Sequence, residues 1–180
     1  MQEALRYRTE NVRWVSPELS HVTLKFLGEV ADRDVPAAIE AVVRAASTSR
    51  AFTLELCGCG CFPPAGPVRA LWVGGSDASG AMAACVDRIE EELEPLGFPR
   101  ERRPFSPHVT TGRIRYDRSN GRLRSAVASR TFGPTSQPVA SITVMSSELS
   151  PRGPQYTPAA TIALGTTEPS QEGENNDETG

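Results

Sequence analysis

Leu19-Ser-His-Val-Thr-Leu-Lys-Phe-Leu-Gly-Glu29 and Arg103-Pro-Phe-Ser-Pro-His-Val-Thr-Thr-Gly-Arg113 read as two copies of one pattern, and together they hold both histidines of the chain. Each centres on His-Val-Thr, as His21-Val22-Thr23 and His108-Val109-Thr110, in β-branched and apolar company. A strand alternates faces with period two, so each tripeptide sets an imidazole beside a hydroxyl on one face. Pro17 stands ahead of the first motif, and Pro104 and Pro107 ahead of the second, where a strand tolerates proline. Gly28 and Gly112 mark the far ends. The likeness of flanks and centres predicts two related halves whose strands face each other across a cleft, where two imidazoles and two hydroxyls converge.

That set of groups selects a chemistry. An imidazole with an ordinary pKa of about 6.5 gives or takes a proton near neutral pH, and two in one site can hold opposite protonation states. One can then deprotonate a nucleophile while the other protonates a leaving oxygen. The hydroxyls of Thr23 and Thr110, with Arg113 or Lys25 nearby, can stabilise charge on a phosphoryl oxygen. Hydrolysis of a phosphodiester uses all of them. A metal centre fits less well, because catalytic zinc takes three protein ligands, each motif supplies one, and no His-Glu-x-x-His is present. Cys57-Gly-Cys-Gly-Cys61 spaces its thiols by two, unlike a Cys-x-x-Cys zinc knuckle, and is expected to pack at a loop or strand end. No metal is expected there.

The rest of the chain reads as scaffold. At 180 residues and 38% hydrophobic, it suits one domain or two intimate lobes with a core that needs no staples. The last sixteen residues, Gly165 to Gly180, carry five acids and no Lys or Arg. The net charge of −3 therefore hides a slightly basic body, expected over 1–164, followed by a disordered acidic tail over 165–180. Arg100, Arg102, Arg103, Arg113 and Arg115 flank the second motif, and guanidinium groups suit phosphate oxygens. The small net charge argues against broad duplex binding and for short or single-stranded ends. Asp32 or Asp34 is expected to cap a helix with the stripe Val35, Ile39, Val42, Val43 and Ala46, and Ser79 one with Met82, Val86, Ile89, Leu93 and Leu96 that stops at Gly97. Strands are expected at Phe52–Leu56, Val68–Val73, Val139–Met145 and about Gln155–Leu164. No apolar run is long enough to span a bilayer and the start lacks a signal-peptide pattern, so a cytoplasmic location is expected.

The paired His-x-Thr runs resemble the signatures of the two-histidine (2H) phosphoesterases, and within them the bacterial RNA 2′,3′-cyclic phosphodiesterases, also called 2′-5′ RNA ligases. Val12-Arg-Trp-Val15, Arg69-Ala-Leu-Trp-Val-Gly74 and Ser147-Glu-Leu-Ser-Pro-Arg-Gly-Pro-Gln-Tyr156 carry the likeness from about Val12 to Leu164. The resemblance implies an α+β, bilobal, pseudo-twofold fold: antiparallel sheets flanked by helices around a central cleft. It implies His21 as proton donor and His108 as proton acceptor, Thr23 and Thr110 on phosphoryl oxygens, a 2′-phosphate product and no cofactor; a monomer is expected beside it. The reverse 2′-5′ ligation stays open. So do two alternatives, a small cyclic nucleotide or ADP-ribose cyclic phosphate as substrate, and an inactive module that binds RNA ends. Two departures accompany the likeness. The family begins with an apolar strand and a helix, whereas only Met1 to Asn11 precede Val12 here, so a sheet strand is expected to be missing. The second motif also carries Thr111 where an aliphatic residue is usual, on the strand face away from the cleft.

Overall fold

The computed structural model describes residues 12–150 and 153–165. Residues 1–11, where a sheet strand is expected to be missing, and residues 166–180 of the expected acidic tail lie outside the described residues. Ten elements follow in order: β1 (Val12–Trp14), α1 (Val35–Ser47), β2 (Phe52–Phe62), β3 (Ala70–Ser76), α2 (Ala81–Leu93), β4 (His108–Ile114), α3 (Arg122–Ala128), β5 (Thr135–Val139), β6 (Ser141–Ser150) and β7 (Gly153–Ala163). Five strands form one sheet in the order β1-β4-β3-β2-β5, and β6 pairs with β7 in a second. These five named strand pairs are all antiparallel, in line with the α+β expectation, and one isolated parallel bridge joins Arg50 to Gly165. Among the described residues, no helix is long and apolar enough to cross a membrane.

One face of the large sheet carries the core. The alternating side chains of Phe52 and Leu54 meet α1 and α2, where Ala38, Ala41, Val42, Ala45 and Ala46 lie against Met82, Cys85, Ile89 and Leu93. The expected α1 stripe is rotated: Val43 is exposed and alanines take the buried face, because small residues let two helices approach closely. Ile142 and Leu164 tie the β6-β7 hairpin into the same core. A second cluster, Cys61, Val68, Leu71, Ile114, Leu123 and Val127, packs α3 onto the sheet. Truncating a fully buried residue such as Leu71 or Leu93 to alanine costs about 2–5 kcal/mol.

Several local expectations change for identifiable reasons. Asp77 does the capping expected of Ser79: its carboxylate accepts from the N–H of Met82 at 2.8 Å and from the N–H and hydroxyl of Ser79, while Ser79 Oγ accepts from the N–H of Ala81. Leu96 is exposed, because the chain leaves α2 in a short 3₁₀ turn, Glu94–Leu96, that ends at Gly97 with φ 91°. The strand expected to end at Leu56 runs on through Cys57–Cys61 to Phe62, with a bulge at Gly58 where φ is 69°. There the Cys59 thiol donates to the carbonyls of Val127 and Arg130 at 3.5 Å, and burial pushes the Cys59 and Cys61 thiols up. Gly165, expected in the tail, instead continues the body, exchanging 2.8 Å backbone hydrogen bonds with Ser49 and Ala51.

Candidate active site

The two motifs are neighbours through their central valines. Val22 forms an isolated antiparallel bridge with Val109, and in that register the flanking residues fall opposite each other, His21 to Thr110 and Thr23 to His108. Each imidazole therefore faces a hydroxyl from the other motif. Val22 turns to the other side and packs against the core. Only the second motif lies in a regular strand. The first is held by its single bridge, and Pro17, expected to open a strand, instead begins a 3₁₀ turn, Pro17–Leu19.

The two imidazoles are held alike. His21 Nδ1 lies 2.8 Å from the Leu19 carbonyl oxygen, and His108 Nδ1 lies 2.8 Å from the Ser106 carbonyl oxygen. A carbonyl only accepts, so Nδ1 donates in both rings, the tautomer is set, and Nε2 is left for proton transfer. Each ring also meets an aromatic edge-on: Tyr156 against His21 at 5.2 Å between centroids and 70°, Phe62 against His108 at 5.0 Å and 76°. Phe62 leans in turn on Trp72 at 5.5 Å. The Trp72 ring lies over Gly60, where a Cβ would come within 2.3 Å of it, so glycine at this position is what lets the indole settle.

Sheet register extends the site. Thr110 is opposite Trp72 and Trp72 opposite Gly60, while His108 is opposite Gly74 and Gly74 opposite Cys57, so these positions share the face that carries the imidazoles. At Thr111 the β4 ladder bulges, with Thr110 opposite Trp72 but Gly112 opposite Leu71, and Thr111 is buried. Gly112, expected to end the strand, lies within it: a Cβ there would meet Val12 at 2.7 Å and Trp14 at 3.2 Å, so its absence lets β1 pair. Beyond the bulge Arg113 returns to the imidazole face, because its neighbour Ile114 points into the second core cluster.

Lys25 goes elsewhere. Its ammonium donates to Glu90 of α2 and to the Pro99 carbonyl at 2.8 Å, with the Lys25 and Glu90 side chains only 4% and 7% exposed. The chain bends at Leu24, which breaks the alternation that had put Lys25 on the face of His21 and Thr23. The expectation of a phosphate contact is therefore corrected to an anchor for the first motif. Sequence reasoning did not single out Phe62, Trp72 or Tyr156. Tyr156 and Trp72 belong to stretches that carry the resemblance, but no spacing tied either to an imidazole; Phe62 reaches His108, and Trp72 reaches Phe62, only through cross-strand register. Among the described residues, no three His, Cys, Asp or Glu side chains gather as metal ligands.

The arrangement can be set beside known proteins. The model of the LigT-like phosphoesterases matches residues 1–72 and 74–156. An Aeropyrum pernix protein named RNA 2′,3′-cyclic phosphodiesterase is 33% identical over 160 residues, covering 87% of this chain and 88% of that one. A protein of the same name from Aquifex aeolicus is 31% identical over 157 residues, covering 85% and 82%. The crystal structure of TT0787 of Thermus thermophilus has a TM-score of 0.77 at 25% identity, over 93% of this chain and 89% of that one. E. coli LigT complexed with 3′-AMP has a TM-score of 0.67 at 23% identity, over 91% and 90%, and shares the fold. Paired His-x-Thr motifs on one sheet face, a matching family model over most of the chain and relatives above 30% identity lead to one assignment: the chain belongs to the family of LigT-like phosphoesterases.

Proposed function

We propose that this protein hydrolyses RNA ends bearing a 2′,3′-cyclic phosphate to 2′-phosphate ends, with His21 as general acid and His108 as general base. The observation that carries the reading is the matched pair of 2.8 Å Nδ1-to-carbonyl hydrogen bonds, which leaves Nε2 of each ring for proton transfer. Neutral His108 takes a proton from water through Nε2 as the oxygen attacks phosphorus. The bond from phosphorus to the 3′ oxygen breaks, and protonated His21 delivers its Nε2 proton to that oxygen. The 2′ oxygen keeps the phosphate. His108 ends protonated and His21 neutral, and exchange with solvent resets both.

Thr23 and Thr110 donate to the phosphoryl oxygens, while Arg113 stands on the same face one residue pair further along the sheet. Preorganised donors of this kind stabilise charge that builds only in the transition state, which is where catalysis is gained. The relatives named RNA 2′,3′-cyclic phosphodiesterase support the substrate class. Both imidazoles and both hydroxyls come from a single chain, which suits a monomer. Cys57, Cys59 and Cys61 are free thiols within one strand, which suits a reducing cytoplasm.

The test is turnover of a short RNA ending in a 2′,3′-cyclic phosphate with EDTA present, the product identified by phosphorus NMR. A 2′-phosphate end is expected. A 3′-phosphate product would refute the proposed direction of ring opening, and loss of turnover on chelation would refute the metal-independent route.

A further inference from the structure

We infer that Arg13 and Arg113 form a second phosphate subsite, one nucleotide upstream of the reacting phosphate, so that the preferred substrate is the end of an oligonucleotide and not a mononucleotide; this deepens the phosphodiesterase reading and rests on it. The register carries the argument. Arg13 of β1 lies directly opposite Arg113 of β4, Arg113 opposite Ala70 of β3, and Ala70 opposite Phe62 of β2. Residues opposite one another share a face, so this row of four stands on the face that carries His108 and Thr110.

Position along the strand sets the spacing. On β3, Ala70 is two residues from Trp72, the partner of Thr110, which separates the arginine row from the threonine by about 7 Å. That is one step of an extended nucleic-acid backbone. Both arginines are exposed, and among the described residues no carboxylate pairs with Arg113. A phosphate placed over two residues that lie opposite each other across an antiparallel pair is within reach of both guanidinium groups, whose planar forks suit its oxygens. The row then reads as two cations, a small residue and an aromatic ring. A phosphodiester fits at the arginine end. The 37% exposed Phe62 ring at the other end offers a surface for a base beside His108. A mononucleotide cyclic phosphate has no phosphate to place in that row.

The experiment compares kcat/KM for adenosine 2′,3′-cyclic phosphate with that for the dinucleotide ApA ending in 2′,3′-cyclic phosphate, in wild type, Arg13→Gln and Arg13→Lys. Wild type is expected to favour the dinucleotide by at least about tenfold, the scale of one charged hydrogen-bonded contact. Arg13→Gln should bring the ratio close to one and lower the dinucleotide's salt slope by about 0.7, the value for one single-strand phosphate contact. Arg13→Lys, which keeps the charge, should retain part of the preference. An equal loss on both substrates would mark Arg13 as a mere support of β1 and overturn the inference. So would a wild type with no preference, while leaving the phosphodiesterase reading standing. If neither substrate is cut, that reading falls and the subsite falls with it.

Discussion

His21 and His108 hold their rings in the same way and are supported in different ways. Each donates Nδ1 to the carbonyl two residues earlier and meets one aromatic edge-on. His108 begins a seven-residue strand that is paired along its length with β3. His21 sits on an irregular segment with one backbone bridge, and its support comes from side chains: Lys25 tied to Glu90 and Val22 pressed on the core. The duplicated part is thus the chemistry, and the scaffold was free to differ. The first motif should depend more on distant anchors than the second.

The largest effect tests the shared chemistry. His21→Ala and His108→Ala should each lower turnover by about 10²–10⁴-fold, the usual worth of a positioned acid or base, with circular dichroism unchanged. A loss confined to one of them would break the pairing. The next effect separates the scaffolds. Lys25→Met leaves Glu90 charged and buried and should destabilise the fold by about 3–5 kcal/mol in urea unfolding, whereas Lys25→Met with Glu90→Met should recover most of it. Activity in the double variant should fall with the placement of His21, and a fully active double variant would show that the anchor does not position the first motif.

Two smaller changes sharpen the comparison. Gly60→Ala puts a Cβ into the Trp72 ring and should cost about 1–3 kcal/mol as the indole shifts beneath Phe62, with activity falling through the His108 side alone. Asp77→Ala should cost about 1 kcal/mol through loss of the α2 cap. The Asp77 carboxyl also carries a pH signature. Burial pushes it up, but hydrogen bonds from Met82, Ser79 and Ala81 together hold it below the ordinary carboxylate range. A carboxyl lowered in the folded state stabilises above its unfolded pKa of about 3.9, and that contribution is lost as pH falls through the folded value. Asp77→Asn should flatten the acid limb of the stability profile, and an unaltered limb would assign it to other groups.

What the chain disclosed before folding was the part that depends on short-range pattern. The second His-x-Thr pair needed only period-two alternation, and the Met82, Val86, Ile89 and Leu93 stripe of α2 needed only helical period; these lie as expected, whereas the first pair, expected on a strand, is held by a single bridge. The rest depended on pairing between distant segments. Phe62 and Trp72 reach the site because β2 continues through a Gly- and Cys-rich run of low strand propensity, which no local signal favours. Lys25 was misplaced because one bend at Leu24 reverses the face of everything after it. Arg13 stood in a quoted motif, yet only the β1-β4 register sets it beside Arg113.

The division of labour between the two imidazoles is the central claim, and the pH profile of kcat/KM on an RNA cyclic phosphate tests it most directly. Wild type should give a bell, because one ring must be protonated and the other neutral. In the residual activity, His21→Ala should lose the alkaline limb and His108→Ala the acid limb. The opposite pattern would exchange the two roles, and a bell that survives in both variants would contradict the two-histidine mechanism.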